Sequence, residues 1–238
     1  MTKELKKRII TSVLLFLLTI FCIFINFFVL GLLIISFVVF VETSGMINRI
    51  VGNSWKKDRV NLKNIAFNTT ALIYIFFIFI PSAEGLKGSA GPVFFLYVLS
   101  VCICSDIGGY IIGRTIGGKK LIKISPNKTI SGSLGSFCFS IFPLLLFYNF
   151  DPSKYLHSIN NFLLCLEISL VCQLGDLFVS YFKRKAKVKD TGRILPGHGG
   201  ILDRIDGIIF AVPFVFMSIV GFNNFYEKYF DIFFAIKN

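Results

Sequence analysis

Asp176, Ser180, Lys183 and Arg184 follow one another at steps of four, three and one, and Asp203 and Asp206 stand three apart further on. On helices the first three share a face, and so do the two later acids, because residues three and four apart are neighbours on a helix surface. Between the two sets runs a segment rich in cations and glycine that includes Lys189, Asp190, Gly192, Pro196, His198, Gly199 and Gly200. Pro196 to Gly200 reads as a tight turn whose bare backbone amides can come close to a ligand. Carboxylates on two facing helix ends would hold a hard cation such as Mg2+, which takes a few carboxylates and keeps its other positions for water and phosphate oxygens. His198 serves equally well as a base or as a turn residue capping backbone. The whole set suits a charged, phosphate-bearing substrate.

Two other places spend polar residues in apolar surroundings. Ser105-Asp106 with Gly108, Gly109 and Gly113 lies late in an apolar run that ends at Arg114. The spaced glycines would admit another helix backbone, and Asp106 is either a functional acid or the partner of Arg114 or another cation. Downstream, Gly117-Gly118-Lys119-Lys120 leads to Ser125-Pro126-Asn127-Lys128-Thr129, just ahead of a further apolar run. Glycine, hydroxyls and lysines at a helix start make an anion cradle, since the first N–H groups of a helix are unpaired and partly positive. Alternatively this is a plain basic loop with Ser131 as the helix cap. The order of a Walker phosphate loop is absent.

These groups must be positioned by a membrane protein. The chain is 55% hydrophobic and 16% charged, with 29 phenylalanines among 238 residues, and its mean hydropathy is +0.75. A soluble domain needs about a quarter of its residues charged. No charge interrupts Ile9 to Val41, a run that as one helix would measure about 50 Å against a hydrocarbon core of about 30 Å. It is therefore expected to fold as two spans turning near Asn26. Further apolar stretches at about 64–81, 92–113, 130–149, 160–181 and 200–222 give an all-α, polytopic protein of about seven transmembrane helices.

The net charge of +12 invites a nucleic-acid reading, but the cations alternate by loop. Lys3, Lys6, Lys7 and Arg8 precede the first span. Arg49 to Lys63 follow the second, Arg114 to Lys128 the fourth, and Lys183 to Arg193 the sixth. The loops around Asn26, Pro81 to Lys87 and Asp151 to His157 carry few. This positive-inside pattern accounts for the charge without nucleic acid and puts the amino terminus and the polar segment in the cytoplasm. The lysine-rich start reads as a retained anchor, its apolar run being too long for a secretory signal. Cys22, Cys102, Cys104, Cys138, Cys165 and Cys172 sit inside apolar runs without zinc-site spacing and read as small buried hydrophobes.

The segment from Ser180 to Asp206 resembles the signature of the phosphatidate cytidylyltransferases, Ser-x2-Lys-Arg-x4-Lys-Asp-x-Gly-x2-Leu-Pro-x-His-Gly-Gly-x2-Asp-Arg-x-Asp. Ser180, Lys183, Arg184, Lys189, Asp190, Gly192, Leu195, Pro196, His198, Gly199, Gly200, Asp203, Arg204 and Asp206 meet every fixed position. Gly175-Asp176, the Asp106 to Gly113 segment and the Ser125-Pro126-x-Lys128-Thr129 loop are also similar to that family. Asn127, Ile130 and Ser131 depart from its usual Ser-Pro-Lys-Lys-Thr-Trp-Glu-Gly loop.

The resemblance implies a nucleotidyltransferase that converts CTP and phosphatidate to CDP-diacylglycerol and pyrophosphate, requires Mg2+, and works as a homodimer in the bilayer. It places metal on Asp176 and Asp203, with Asp206 as ligand or neighbour. Lys183, Arg184 and Lys189 would hold anions, and His198 and the glycine turn would position a phosphate or the cytidine. Ser180, Asp190, Gly199, Gly200, Arg204, Asp106, Ser125, Lys128 and Thr129 complete the expected substrate contacts. A single-domain organisation is expected: an amino-terminal hairpin and basic loop over 1–60, then the catalytic core over 61–238. A bacterial inner membrane suits the chain, with the site facing the cytoplasm. Transfer to another lipid acceptor such as a polyprenol is the neighbouring reading. A CDP-alcohol phosphotransferase fits Asp203-x2-Asp206-Gly207 but fails at Phe210-Ala211. A lipid transporter without chemistry would call for paired repeats, which the chain lacks.

Overall fold

The structure, a computed structural model, describes residues 28–52, 65–72, 91–122, 125–147, 159–192, 194–195, 199–215 and 217–218. Its elements are α1 (Phe28–Gly52), α2 (Gly91–Thr115), β1 (Lys120–Ile122), β2 (Ser125–Thr129), α3 (Ile130–Ser140), α4 (Phe142–Phe147), α5 (Ile159–Lys185) and α6 (Leu202–Ile205). Residues 65–72 and 208–215 are also helical. The first expected span, Cys22, the loops from Pro81 to Lys87 and Asp151 to His157, and His198 lie outside the described residues.

Among the described residues four stretches are long and apolar enough to cross a membrane: Leu30–Val51, Val93–Thr115, Ile130–Phe147 and Asn161–Lys185. They match the second, fourth, fifth and sixth expected spans. The fifth is not one continuous helix, because α3 gives way to α4 at Ile141. Pro143 stands in the first turn of α4, where its missing N–H and fixed φ are tolerated but from which an α-helix cannot run back unbroken. The 200–222 stretch also departs from a simple span, since α6 is a single turn that ends at Asp206-Gly207 before the helix at 208–215 begins.

The described fold is mostly helical, as expected, with one short hairpin that the sequence reading does not include. β1 and β2 form an antiparallel pair, with Lys120 opposite Thr129 and Ile122 opposite Ser125. Gly117 and Gly118, at φ +64° and +103°, turn the chain out of α2 and into this hairpin, backbone angles that side chains disfavour. The hairpin delivers Thr129 as the N-cap of α3, its hydroxyl accepting from Gly132 N–H at 3.1 Å. Ser131, the sequence's alternative cap, donates to the Gly117 carbonyl instead.

The glycines of α2 do admit a neighbour. A Cβ on Gly108 would lie 2.6 Å from the Gly135 carbonyl oxygen, and one on Gly113 would lie 3.3 Å from Gly132 Cα. A small-residue seam thus fixes α2 against α3. Polar cross-links continue to α5: Ser105 Oγ meets Ser169 Oγ at 2.8 Å, Gln173 donates to Ser169 at 3.2 Å, and Ser133 donates to Gln173 at 2.6 Å.

Two apolar clusters hold the rest. One joins Tyr97, Val98, Val101 and Cys102 of α2 to Cys165, Ile168 and Cys172 of α5 and to Ala211, Val212 and Val215. The other joins Val39 and Met46 of α1 to Val179, Ala186 and Leu202. Cys102, Cys165 and Cys172 are buried as expected, but Cys138 is exposed and Cys104 only partly covered. Phe37 and Leu145 are each 67% exposed. Such faces are costly in water and ordinary in lipid, where backbone groups are satisfied inside the helices.

Candidate active site

The last turn of α5 and the single turn of α6 meet through Lys183. Its ammonium donates to Asp203 Oδ1 at 3.0 Å and stands 3.9 Å from Asp206 Oδ2. One turn and two turns back along α5, Ser180 and Asp176 lie on the same face, and Ser180 Oγ donates to Asp176 Oδ1 at 3.3 Å. Asp176 also pairs with Lys128 of β2. The hairpin, α5 and α6 are therefore tied by two lysines, each crossing from one element to an acid on another. Asp106 faces the same charges, Asp176 and Lys128. Arg114, the alternative partner of Asp106, donates instead to the Tyr110 hydroxyl at 2.7 Å.

α5 ends where Lys187, at φ +55°, turns the chain back, with Val188 N–H bonded to the Lys183 carbonyl and Lys187 N–H to that of Arg184. This double closure is a Schellman cap with lysine where glycine is usual. The chain then runs through Thr191 to the Leu195–Gly199 bridge. Gly199 takes φ +85° there, and a Cβ on it would lie 2.8 Å from Asp203 Oδ2.

Asp203 is the most firmly held acid. Its Oδ2 accepts from Thr191 N–H at 2.7 Å and Gly200 N–H at 2.9 Å, and the Thr191 hydroxyl stands 3.0 Å from it. Burial pushes this carboxyl upward, but the Gly200 and Thr191 N–H groups and the Lys183 ammonium outweigh it and hold it below the usual carboxylate range. Asp203 is thus kept as a fixed negative charge.

Asp176 and Asp206 stand close enough for their like charges to oppose each other. Two carboxylates tolerate such an approach when a proton or a cation lies between them. The donor set is all oxygen, which fits Mg2+. Among the described residues no group of three or more His, Cys, Asp or Glu surrounds a single cation position. A metal here would thus take two carboxylates and draw its other ligands from water and substrate, as Mg2+ commonly does.

The remaining expected residues divide. Lys128, Thr129, Ser180, Gly199 and Gly200 join the cluster or its frame. Arg184, Lys189, Asp190 and Arg204 are exposed, and Ser125 is partly covered. Two participants have no place in the sequence reading. Thr191 is a free position of the signature, and Glu42 of α1 lies far outside it. Glu42 is only 5% exposed. It accepts from Ile201 N–H at 3.0 Å, Leu202 N–H at 2.9 Å and the Thr191 hydroxyl at 2.8 Å. The signal was present, since Glu42 is the first charge after the run from Ile9 to Val41, and such acids are costly where lipid begins.

The chain is 40% identical over 166 residues to a phosphatidate cytidylyltransferase of Staphylococcus aureus, covering 66% of this chain and 60% of that protein. It is 35% identical over 175 residues to the protein of the same name from Bacillus subtilis, covering 70% of this chain and 62% of the relative. These matches thus span about three fifths of the relatives' length. The family model described as the cytidylyltransferase family matches residues 3–222, nearly the whole chain, and the chain belongs to that family.

Proposed function

We propose that this protein transfers the cytidylyl group of CTP to phosphatidate, giving CDP-diacylglycerol and pyrophosphate at a membrane surface. The observation that carries this reading is the meeting of Asp176, Asp203 and Asp206 with Lys128 and Lys183, in a chain of this family whose outer faces are apolar. Phosphatidate's phosphate is already ionised at neutral pH, so its attack needs no strong base. An oxygen of that phosphate forms a bond to the α-phosphorus of CTP, and the bond to the bridging oxygen breaks, its electron pair leaving with pyrophosphate. What such a transfer needs is alignment and neutralised charge.

The residues present supply both. Lys128 and Lys183, which reach the acids from two elements, are placed to exchange those contacts for phosphate oxygens. Asp203, held through one oxygen by the Thr191 and Gly200 N–H groups, keeps its other oxygen toward Lys183 and fixes that ammonium. Asp176 and Asp206, with Asp203 beside them, would hold Mg2+, which when bound supplies charge screening for the triphosphate. Thr129, capping α3, holds the hairpin that carries Lys128.

The alternation of basic and weakly charged loops supports a cytoplasmic site in a bacterial inner membrane, and the family resemblance supports a homodimer. The test is product analysis of purified protein in detergent with labelled CTP, Mg2+ and either phosphatidate or a polyprenol acceptor. A liponucleotide formed from phosphatidate with release of pyrophosphate is expected. Faster turnover with the polyprenol would move the assignment to that acceptor, and no product with either would refute it.

A further inference from the structure

We infer that Glu42 is a positioning residue for the transfer reaction, acting through Thr191 on the carboxylate of Asp203. The inference rests on the cytidylyltransfer reading for its kinetic consequences, though not for its structural one. Glu42 sits on α1, in a part of the chain remote in sequence from every other member of the site. A buried carboxylate is retained only when its oxygens are well satisfied. Here Oε1 takes the Ile201 N–H, and Oε2 takes the Leu202 N–H and the Thr191 hydroxyl. These donors all precede Asp203 in sequence, two of them immediately.

Thr191 makes the link specific. Its one hydroxyl proton lies between Glu42 Oε2 at 2.8 Å and Asp203 Oδ2 at 3.0 Å, while its backbone N–H is committed to Asp203 at 2.7 Å. With the proton directed to Glu42, the Thr191 side chain is pinned to α1 and its amide is held at the angle that fixes Asp203. Asp203 in turn holds Lys183. A chain of contacts thus runs from α1 to the ammonium that joins α5 and α6.

The glycines provide a second line of support. A Cβ on Gly192 would lie 2.6 Å from Glu42 Oε1, and one on Gly200 would collide with both the Thr191 hydroxyl and the Glu42 carboxylate. Neither residue has a positive φ, so backbone conformation does not demand glycine at either place. What demands it is the room taken by Glu42. Two fixed positions of the signature are therefore explained by an acid outside it.

The experiment compares the full-length protein with Glu42→Gln, Thr191→Val and Thr191→Ser in detergent. It reads kcat and KM for CTP and phosphatidate, thermal unfolding, and amide hydrogen exchange over residues 188–204. Glutamine keeps the shape but turns an N–H2 toward one of the donors, and valine keeps the branched shape but removes the shared proton. Both are expected to lower kcat by at least about tenfold with KM for CTP within about threefold, as displacement of a reacting group by a fraction of an ångström does. Exchange at Ile201 and Leu202 should rise in Glu42→Gln, and Thr191→Ser should recover most of the wild-type rate.

Wild-type kcat in either Glu42→Gln or Thr191→Val would overturn the inference. So would a rate that falls only in proportion to the folded fraction, which marks a merely structural acid. If Glu42→Gln does not fold, Thr191→Val decides alone. Wild-type protein that makes no liponucleotide refutes the proposed reaction instead, and the exchange measurement still tests the Glu42 contacts.

Discussion

Lys183 in the last turn of α5 donates to Asp203 of α6 at 3.0 Å, and the two side chains are 15% and 5% exposed. One ammonium therefore joins the ends of two helices and lies within 3.9 Å of a second acid, Asp206. Removing it leaves two sheltered carboxylates facing each other's charge. Lys183→Met should cost about 3 kcal/mol of stability, in the range found when one partner of a buried pair is deleted, and should abolish turnover. Lys183→Arg keeps the charge and should unfold near the wild-type temperature. Thermal unfolding in detergent checks both, and a Met variant as stable as wild type would show that the pair is not holding α5 to α6.

The hairpin that presents Lys128 is anchored by the cap on α3. Thr129→Ala removes the acceptor for Gly132 N–H and should cost about 1 kcal/mol, with KM for CTP raised because Lys128 is the preceding residue. Thr129→Ser should behave as wild type. Equal KM values in the alanine and serine variants would separate the cap from substrate binding.

The glycine seam sets the distance between α2, which carries Asp106, and α3. In Gly135→Val the new Cβ would meet the Ile112 side chain and the Gly108 carbonyl, at 2.5 and 2.8 Å. Overpacking of this kind costs about 1–3 kcal/mol. A lowered unfolding temperature is expected, whereas Leu134→Val, at a side chain 61% exposed on the same helix, should change little. Equal losses in the two variants would argue against a close-packed seam.

The sequence made the site's acids readable because they follow helical spacing in surroundings where charge is expensive. Asp176, Ser180 and Lys183 could be placed on one face from their steps of four and three, and the structure puts them there. The partner of each charge was not readable. Nothing local tells Lys128 to meet Asp176 rather than an anion alone, or Arg114 to meet Tyr110 rather than Asp106, because those pairings depend on how far α2 and the hairpin travel around α5. The role of Glu42 is hidden for the same reason. Its donors lie about 150 residues away along the chain, and only folding brings them together.

The strand pair Lys120–Ile122 and Ser125–Thr129 is not legible in the sequence because its strands are short and lack apolar alternation. The break at Ile141 was hidden inside an apolar run, where Pro143 was the available sign.

If the acids joining α5 and α6 carry the chemistry, pyrophosphate release from CTP, phosphatidate and Mg2+ depends on them. Wild-type protein should be measured beside Asp203→Asn and Asp176→Asn, each checked for folding and membrane insertion. Steady release by wild type is expected, with loss of turnover in both variants and no loss of the folded protein. Near-normal rates in either variant would contradict it.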